Sequence, residues 1–237
     1  MKRFDHYFFY FLTLGLLYLV FSGVPKFHHS APRTDVNHPT AQQKTSHMIT
    51  MLNEDGMRLG VCTATAVGPH AFMTAEHCNS DGDAKYVTFD LALEKHRIYA
   101  VTFDNRDHMI ALVGGAAFRN YLPIVQGTPR LGETVTIYGD GRMEYPPVPK
   151  YGKTFDCGDF SDIDNDAGET CYSTQVIPGD SGSAVYNTKG EIIGLVTYQT
   201  TEDDGTICGR GFTLHFKPEV LKQAVEFKGD PNALVKF

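Results

Sequence analysis

From Met48 onward the chain consists of short apolar runs separated by turn residues, and this pattern constrains the fold more than any other feature. In the run 86–93, apolar and polar residues alternate, as expected for a strand with one buried face. The 23 glycines and 12 prolines are enough to supply many turns between such strands. The pattern predicts an all-β barrel or sandwich. The predicted strands are 59–67, 71–74, 86–93, 98–103, 109–113, 134–138, 174–177, 183–186, 191–198 and 211–216.

One helix is predicted near the C-terminus, over 217–228. Pro218 stands where proline is tolerated, in the first turn, and Gly229 ends the segment. Between them, Val220, Leu221 and Ala224 share one apolar face.

The composition limits the classes of partner. The net charge is −7 and charged residues of both signs are mixed. A broad basic surface of the kind that binds phosphate backbones is therefore not expected, and we predict no nucleic-acid partner.

The N-terminus predicts export. Lys2 and Arg3 precede an uncharged apolar run over 7–21. A secretory hydrophobic region has about 7–15 residues and a membrane-spanning helix about 20, so residues 1–25 are predicted to be a signal peptide or a signal anchor. Residues 26–46 are polar and predict a linker. The protein is expected to be secreted, periplasmic or extracellular, with membrane contact only through an uncleaved N-terminal segment.

Three separate segments carry residues suited to nucleophilic catalysis. His77 ends an apolar strand beside Cys78, and in an exported protein Cys62 on the neighbouring strand would form a disulfide with Cys78. Ser181 lies in a glycine turn, where the N–H groups of Gly179 and Ser181 can point into one oxyanion pocket. Asp107 precedes a buried strand and is the expected partner of His77, with Asp104 as the alternative.

These motifs, in the order His77, Asp107, Ser181, resemble the trypsin/chymotrypsin-like serine protease superfamily. Residues 74–78 (TAEHC) are similar to the family's TAAHC, and 179–183 (GDSGS) to its GDSGG, with departures at Glu76 and Ser183. Residues 190–197 resemble the strand that follows the nucleophile. The chain looks like a compact member, somewhat like bacterial HtrA-type or viral proteases. No PDZ-like region is predicted in it.

The resemblance implies a protease domain over 47–237. Its fold would be two antiparallel Greek-key β-barrels, about 47–125 and 126–216, followed by the helix. The active site would lie between the barrels and would hydrolyse protein or peptide substrates through an acyl-enzyme on Ser181, with no metal or organic cofactor. The alternative is a catalytically inactive homologue that binds proteins through the same cleft. A small-molecule esterase with this triad usually has an α/β sheet, which the strand pattern does not offer.

The resemblance also implies a substrate pocket. Gln175 aligns with the base of the S1 pocket, the pocket that receives the residue before the scissile bond (P1). Because Gln175 is neutral, we expect neutral or apolar P1 residues, although the acidic residues 202–204 could reach the rim. The pocket walls would be Val176, Thr197, Tyr198, Gln199 and Gly211.

Three structural expectations remain. Digestive relatives pair the acid at the position of Asp180 with a newly formed N-terminus, but no matching cleavage motif precedes His77, so we predict no such activation step. Cys157 and Cys171 resemble a family disulfide, with Cys171–Cys208 as the rival, and either pairing leaves one of five cysteines over. The acidic residues between 156 and 169 predict a solvated loop rather than a Ca²⁺ site.

Overall fold

A computed structural model describes residues 40–115, 118–141, 147–157, 168–201 and 205–233. The predicted signal or anchor segment, residues 26–39 of the predicted linker, and the acidic residues of 158–167 and 202–204 lie outside this description. Within the described ranges, no helix is both long and apolar enough to cross a membrane.

Strands dominate the described residues, as the apolar periodicity predicts. The strands are β1 (Ser46–Leu52), β2 (Arg58–Gly68), β3 (Ala71–Ala75), β4 (Tyr86–Phe89), β5 (His96–Phe103), β6 (His108–Val113), β7 (Thr134–Tyr138), β8 (Pro149–Phe155), β9 (Glu169–Tyr172), β10 (Ala184–Asn187), β11 (Ile192–Leu195), β12 (Tyr198–Thr201) and β13 (Ile207–Phe212). The α-helices are α1 (Ala41–Thr45) and α2 (Pro218–Glu226). Short 3-10 helices cover Glu76–Gly82 and Pro231–Ala233.

The first six strands form a closed barrel in the order β1-β2-β3-β6-β5-β4, in which β4 pairs back with β1. All its neighbouring strands are antiparallel. Its interior combines small and large apolar side chains, which lets the strands fill a narrow barrel without voids. Members of this core include Ile49, Ala64, Phe72, Val87, Met109 and Ala111.

The remaining strands form a seven-stranded antiparallel sheet in the order β11-β10-β7-β8-β9-β13-β12. The sheet curls so far that Leu195 of β11 meets Gly211 of β13, where an added Cβ would overlap the Leu195 carbonyl oxygen. Its interior is a separate apolar cluster that contains Ile137, Tyr172, Val176, Val185 and Ile193.

A third apolar cluster joins the two sheets and the C-terminal helix. It contains Met73 and Leu112 from the barrel, Leu195 from the second sheet, and Ala224 and Phe227 from α2 and its end. The predicted C-terminal helix is therefore present, and its apolar face packs where the two sheets meet.

The structure departs from the sequence-based expectations in three places. Strands β1, β8 and β9 were not predicted, and only the first residue of β12 was. The predicted strand over 174–177 is absent, because the chain there leaves the sheet and turns towards Ser181. The end of the predicted linker is folded: Thr40 caps α1 by accepting a hydrogen bond from Gln43 N–H at 3.1 Å, and β1 begins at Ser46. Glu169 is not part of a solvated loop, because it is nearly buried in an ion pair with Arg210.

Candidate active site

The pairing of β3 with β6 brings the predicted histidine and acid together. Ala75, the last residue of β3, lies opposite His108, the first residue of β6. The residues just beyond this pair therefore meet as well, and Glu76 N–H donates to the carbonyl of Asp107 at 2.9 Å. His77 follows in the first turn of the 3-10 helix.

His77 and Asp107 share two hydrogen bonds. The imidazole Nδ1 lies 2.7 Å from Asp107 Oδ2, and the backbone N–H of His77 donates to Asp107 Oδ1 at 2.8 Å. The Asp107 side chain is 13% exposed and the His77 side chain 41%. With Nδ1–H directed at the carboxylate, the hydrogen-bond network assigns the free lone pair to Nε2, which is the form a general base requires.

Asp104, the alternative acid, has a different partner. Its Oδ2 lies 2.7 Å from Nδ1 of His108, and both side chains are fully buried. The same carboxylate accepts N–H bonds from Arg106 at 3.0 Å and from His215 at 2.9 Å. Asp104 thus stabilises the β5–β6 turn, in which Asn105 and Asp107 adopt positive φ angles near 60°.

A disulfide supports the segment that carries His77. Cys62 of β2 is bonded to Cys78, with their Cα atoms 6.2 Å apart. Cys62, His77 and Cys78 are also close enough to suggest a metal site, but both sulfurs are committed to the disulfide and offer no thiolate. The second bridge joins Cys157 to Cys171, so the rival pairing of Cys171 with Cys208 is wrong. Cys208 is buried on β13.

The Ser181 turn is anchored on the first barrel. Thr63 N–H donates to the carbonyl of Ser181 at 2.8 Å, and Gly182 N–H donates to Val196 at 2.7 Å. Residue 182 has φ +84°, and a Cβ there would lie 2.3 Å from the Thr63 carbonyl oxygen, so only glycine fits. The turn therefore lies directly against β2 and against Thr74, three residues before His77.

Gly179 is held on the first barrel through its carbonyl. Its φ is +100°, and its carbonyl accepts a bond of 2.8 Å from the Thr63 hydroxyl. Among the described residues, the N–H groups of Gly179 and Ser181 have no acceptor. They are therefore available to an external oxygen.

A cavity of about 280 Å³ opens beside Ser181. Four residues expected to line it do so: Val176, Thr197, Tyr198 and Gln199. The wall also contains Ile177, Pro178 and Val196, which the alignment to family positions did not assign. Two assignments are not supported. Gln175 is exposed and lies outside the cavity wall, and Gly211 lies inside the sheet against Leu195.

Tyr198 connects the cavity to the histidine. Its ring stacks on the His77 imidazole, with centroids 6.0 Å apart and planes 20° from parallel. The pKa of Tyr198 is raised by burial and by the nearby Asp107 carboxylate, so the phenol stays neutral. A second cavity of about 440 Å³ lies on another side of His77, lined by Glu76, His77, Asn79, Gly82, Phe103 and Asp107.

The two departures from the family motifs have different surroundings. Glu76 borders the second cavity, and its pKa is raised by partial burial and by the neighbouring carboxylates of Asp107 and Asp104. Ser183 is fully buried, and its hydroxyl has no hydrogen-bond partner among the described residues.

The family model of the trypsin-like peptidase domain matches residues 62–195, which is more than half of the chain. The chain belongs to the trypsin-like peptidase family. This assignment confirms the predicted enzyme class, a serine-type endopeptidase. No curated protein sequence gives a significant match.

Solved structures show the same fold. The inactive form of the Rv3671c protease has a TM-score of 0.56 and 18% identity, over 73% of this chain and 85% of that one. The active form of Rv3671c from M. tuberculosis has a TM-score of 0.55 and 17% identity, over 73% and 77%. A serine endoprotease from Yersinia pestis has a TM-score of 0.57 and 14% identity, over 78% and 64%. The predicted chymotrypsin-like double barrel is therefore confirmed for this peptidase domain.

Proposed function

We propose that this peptidase is an exported endopeptidase that cleaves protein or peptide substrates through a triad of Ser181, His77 and Asp107. One observation carries the proposal. The Asp107-bound imidazole of His77 stacks on Tyr198, and Tyr198 forms the wall of the same cavity as Ser181. A peptide lying along this wall would present its carbonyl to Ser181 next to His77.

In the proposed reaction, His77 Nε2 removes the proton from Ser181 Oγ, because a serine hydroxyl is a weak nucleophile without a base. The alkoxide attacks the peptide carbonyl, and the N–H groups of Gly179 and Ser181 stabilise the oxyanion, each by about 3–4 kcal/mol. His77 then protonates the leaving amine. Water then takes the place of the amine: His77 removes its proton, the oxygen attacks the acyl-enzyme carbonyl, and His77 returns the proton to Ser181 Oγ. Throughout, Asp107 orients His77 and stabilises its cationic form. These steps invoke no metal or organic cofactor.

The cavity beside Ser181 favours a neutral P1 side chain. Apolar groups supply much of its wall, from Val176, Ile177 and Val196, and the residues that line it carry no charge. A lysine or arginine entering it would lose water without gaining a counter-ion from the described wall. The expected preference for neutral P1 residues is thus the same as the one predicted from Gln175, but it now rests on the residues of the described cavity wall.

Export is proposed from two independent features. The structure contains two disulfides, which indicate an oxidising compartment. The sequence begins with a basic and then apolar segment that suits a signal peptide or a signal anchor. A secreted, periplasmic or extracellular enzyme agrees with both, with membrane attachment only if the segment is not cleaved.

The test is labelling with a fluorophosphonate probe, which reacts with an activated serine. We expect wild type to be labelled, and Ser181→Ala and His77→Ala to lose labelling and about 10⁴-fold or more of kcat. Ser183→Ala is the matched control, because it removes a nearby buried hydroxyl and should keep labelling. Failure of correctly folded wild type to react would favour the inactive, protein-binding alternative. Retention of activity within tenfold in either triad variant would refute the triad.

A further inference from the structure

The residue before the proposed nucleophile is a fully buried acid. Asp180 has no exposed surface, and its carboxylate accepts N–H bonds from Gly141 at 3.0 Å and from Ile177 at 2.8 Å. Its Oδ2 also forms an ion pair with the ammonium group of Lys150. Among the described residues, Lys150 is the only cation paired with this carboxylate.

Lys150 reaches Asp180 from the interior of the second sheet. It lies on β8 opposite Ile137 of β7, and its side chain is only 19% exposed. An ionised carboxylate in such a place is costly unless a cation and hydrogen-bond donors compensate it. Two backbone N–H groups supply the hydrogen bonds, and Lys150 supplies the charge.

The Asp180 carboxylate determines the shape of the loop that carries the oxyanion donors. It ties Ile177, at the start of the turn, to Gly141 on the neighbouring segment. Gly179 lies between Ile177 and Asp180 in the chain and packs directly against Gly141, since a Cβ on it would be 2.8 Å from Gly141 Cα. A displacement of Asp180 would therefore change where the N–H groups of Gly179 and Ser181 point.

We propose that Lys150 is a positioning residue that keeps the loop 177–181 in its catalytic shape through Asp180. The loop is set by a cation from within the sheet, and no newly formed N-terminal amine is needed for this purpose. The proposal rests on the proposed function, because the loop matters only if Gly179 and Ser181 bind an oxyanion.

The main test compares the full-length variants K150M, K150R and K153M. Met removes the charge of Lys150 and keeps most of its length, whereas Lys153 is exposed on the same strand and serves as the control. Loss of one aligned oxyanion donor costs about 10²–10³ in kcat, and we expect a fall of this size in K150M. KM should change by less than about threefold, because most of the cavity wall is contributed by other segments. K150R should recover at least about tenfold of the lost kcat, and K153M should match wild type.

A second variant separates loop positioning from folding. K150M leaves a buried charge without a cation and can destabilise the whole protein. In D180N/K150M both charges are removed, so thermal stability should return close to that of wild type. The amide cannot accept at both of the oxygens that Asp180 uses, so kcat should stay about 10²-fold low. A stable double variant with wild-type kcat would overturn the proposal.

Failure of this inference can be told from failure of the proposed function. If folded wild type does not react with the fluorophosphonate probe, the proposed function fails whatever Lys150 does. If wild type reacts and K150M is as active as K153M, the role of Lys150 is refuted and the triad stands. If K150M lowers kcat and raises KM by the same factor, and K150R gives no recovery, Lys150 has only a structural role. This outcome also overturns the proposal.

Discussion

The closed barrel and the curled second sheet contribute to the site in different ways. The barrel supplies His77 and Asp107 from the ends of two adjacent strands, so one stretch of strand pairing brings them together. The second sheet supplies Ser181 from a loop whose shape depends on groups far apart in the chain, namely Thr63, Gly141, Lys150 and Val196. The His77–Asp107 pair is a local product of register, whereas the loop that carries Ser181 makes several long-range contacts at once.

The partners of the acidic side chains differ in the same way. The barrel contains three histidine–aspartate pairs, at His47–Asp90, His77–Asp107 and His108–Asp104, among the described residues. The second sheet instead uses the permanent cations Lys150 and Arg210, paired with Asp180 and Glu169. Lys and Arg are permanent cations, whereas an imidazole can also be neutral, so the acids of the two sheets have partners of different chemistry.

The largest expected effect is on kcat, and it should differ between the two acids of the β5–β6 turn. Asp107→Asn should lower kcat by about 10⁴-fold, because an amide cannot hold the His77 tautomer or stabilise its cation. Asp104→Asn should mainly lower the free energy of unfolding, by about 1–3 kcal/mol, because the amide keeps only one acceptor oxygen for the three groups that bond to the Asp104 carboxylate. Steady-state kinetics and urea unfolding measure the two effects. A kcat loss in Asp104→Asn as large as in Asp107→Asn would return the catalytic role to Asp104.

The two disulfides offer a direct comparison of the sheets. Peptide mapping without reduction should find Cys62 joined to Cys78 and Cys157 joined to Cys171. Replacing either pair by alanine should cost about 3 kcal/mol of stability, because the enclosed loops are of similar length. Only the Cys62/Cys78 variant should also lower kcat, by up to about 10²-fold, since Cys78 adjoins His77. Equal kcat in both variants would show that the bridge does not position the histidine.

Asp140 gives a pH-dependent effect at the junction of the two sheets. Burial raises its pKa from 3.8 to about 7, with a further rise from Asp90 and Asp180 that His47 opposes. The backbone N–H of Met48 also lowers this pKa, although neither carboxyl oxygen has a partner with full hydrogen-bond geometry among the described residues. Between about pH 4 and 7 the native state keeps a proton that the unfolded state has lost, so stability should fall as pH rises, by at most about 1.4 kcal/mol per pH unit.

Asp140→Asn should remove this pH dependence. The amide is neutral throughout, so the variant should match wild type near pH 4 and exceed it by up to about 4 kcal/mol at pH 8. Urea unfolding at both values measures the difference. A variant less stable than wild type at pH 8 would show that the ionised carboxylate has a stabilising partner.

The smallest expected effect concerns the cavity of the second sheet. A peptide library varied at P1 should be cleaved at least about tenfold faster after neutral or apolar residues than after Lys or Arg, because the described wall carries no acid. Gln175→Glu should leave this preference unchanged, since residue 175 lies outside the wall. A tenfold preference for Lys or Arg would place an acid, such as one of residues 202–204, at the pocket.

The sequence by itself determined the strands with clear alternation and the C-terminal helix, and it singled out His77 and Ser181 as the candidate catalytic residues. Each of these depends on local information: side-chain periodicity, a proline at a helix start, or glycines that flank a turn. β8 was missed because its segment PKYGKTF has a proline, a glycine and two lysines and no apolar alternation, and Lys150 was missed with it.

Only the tertiary structure decided between Asp107 and Asp104. The two are three residues apart and chemically identical, and the register of β3 on β6 selects the one beside His77. The cavity wall and the Cys157–Cys171 bridge were decided in the same way, by which segments meet. Pairing register and buried charge compensation join residues distant in the chain, and local sequence preferences carry little information about such contacts.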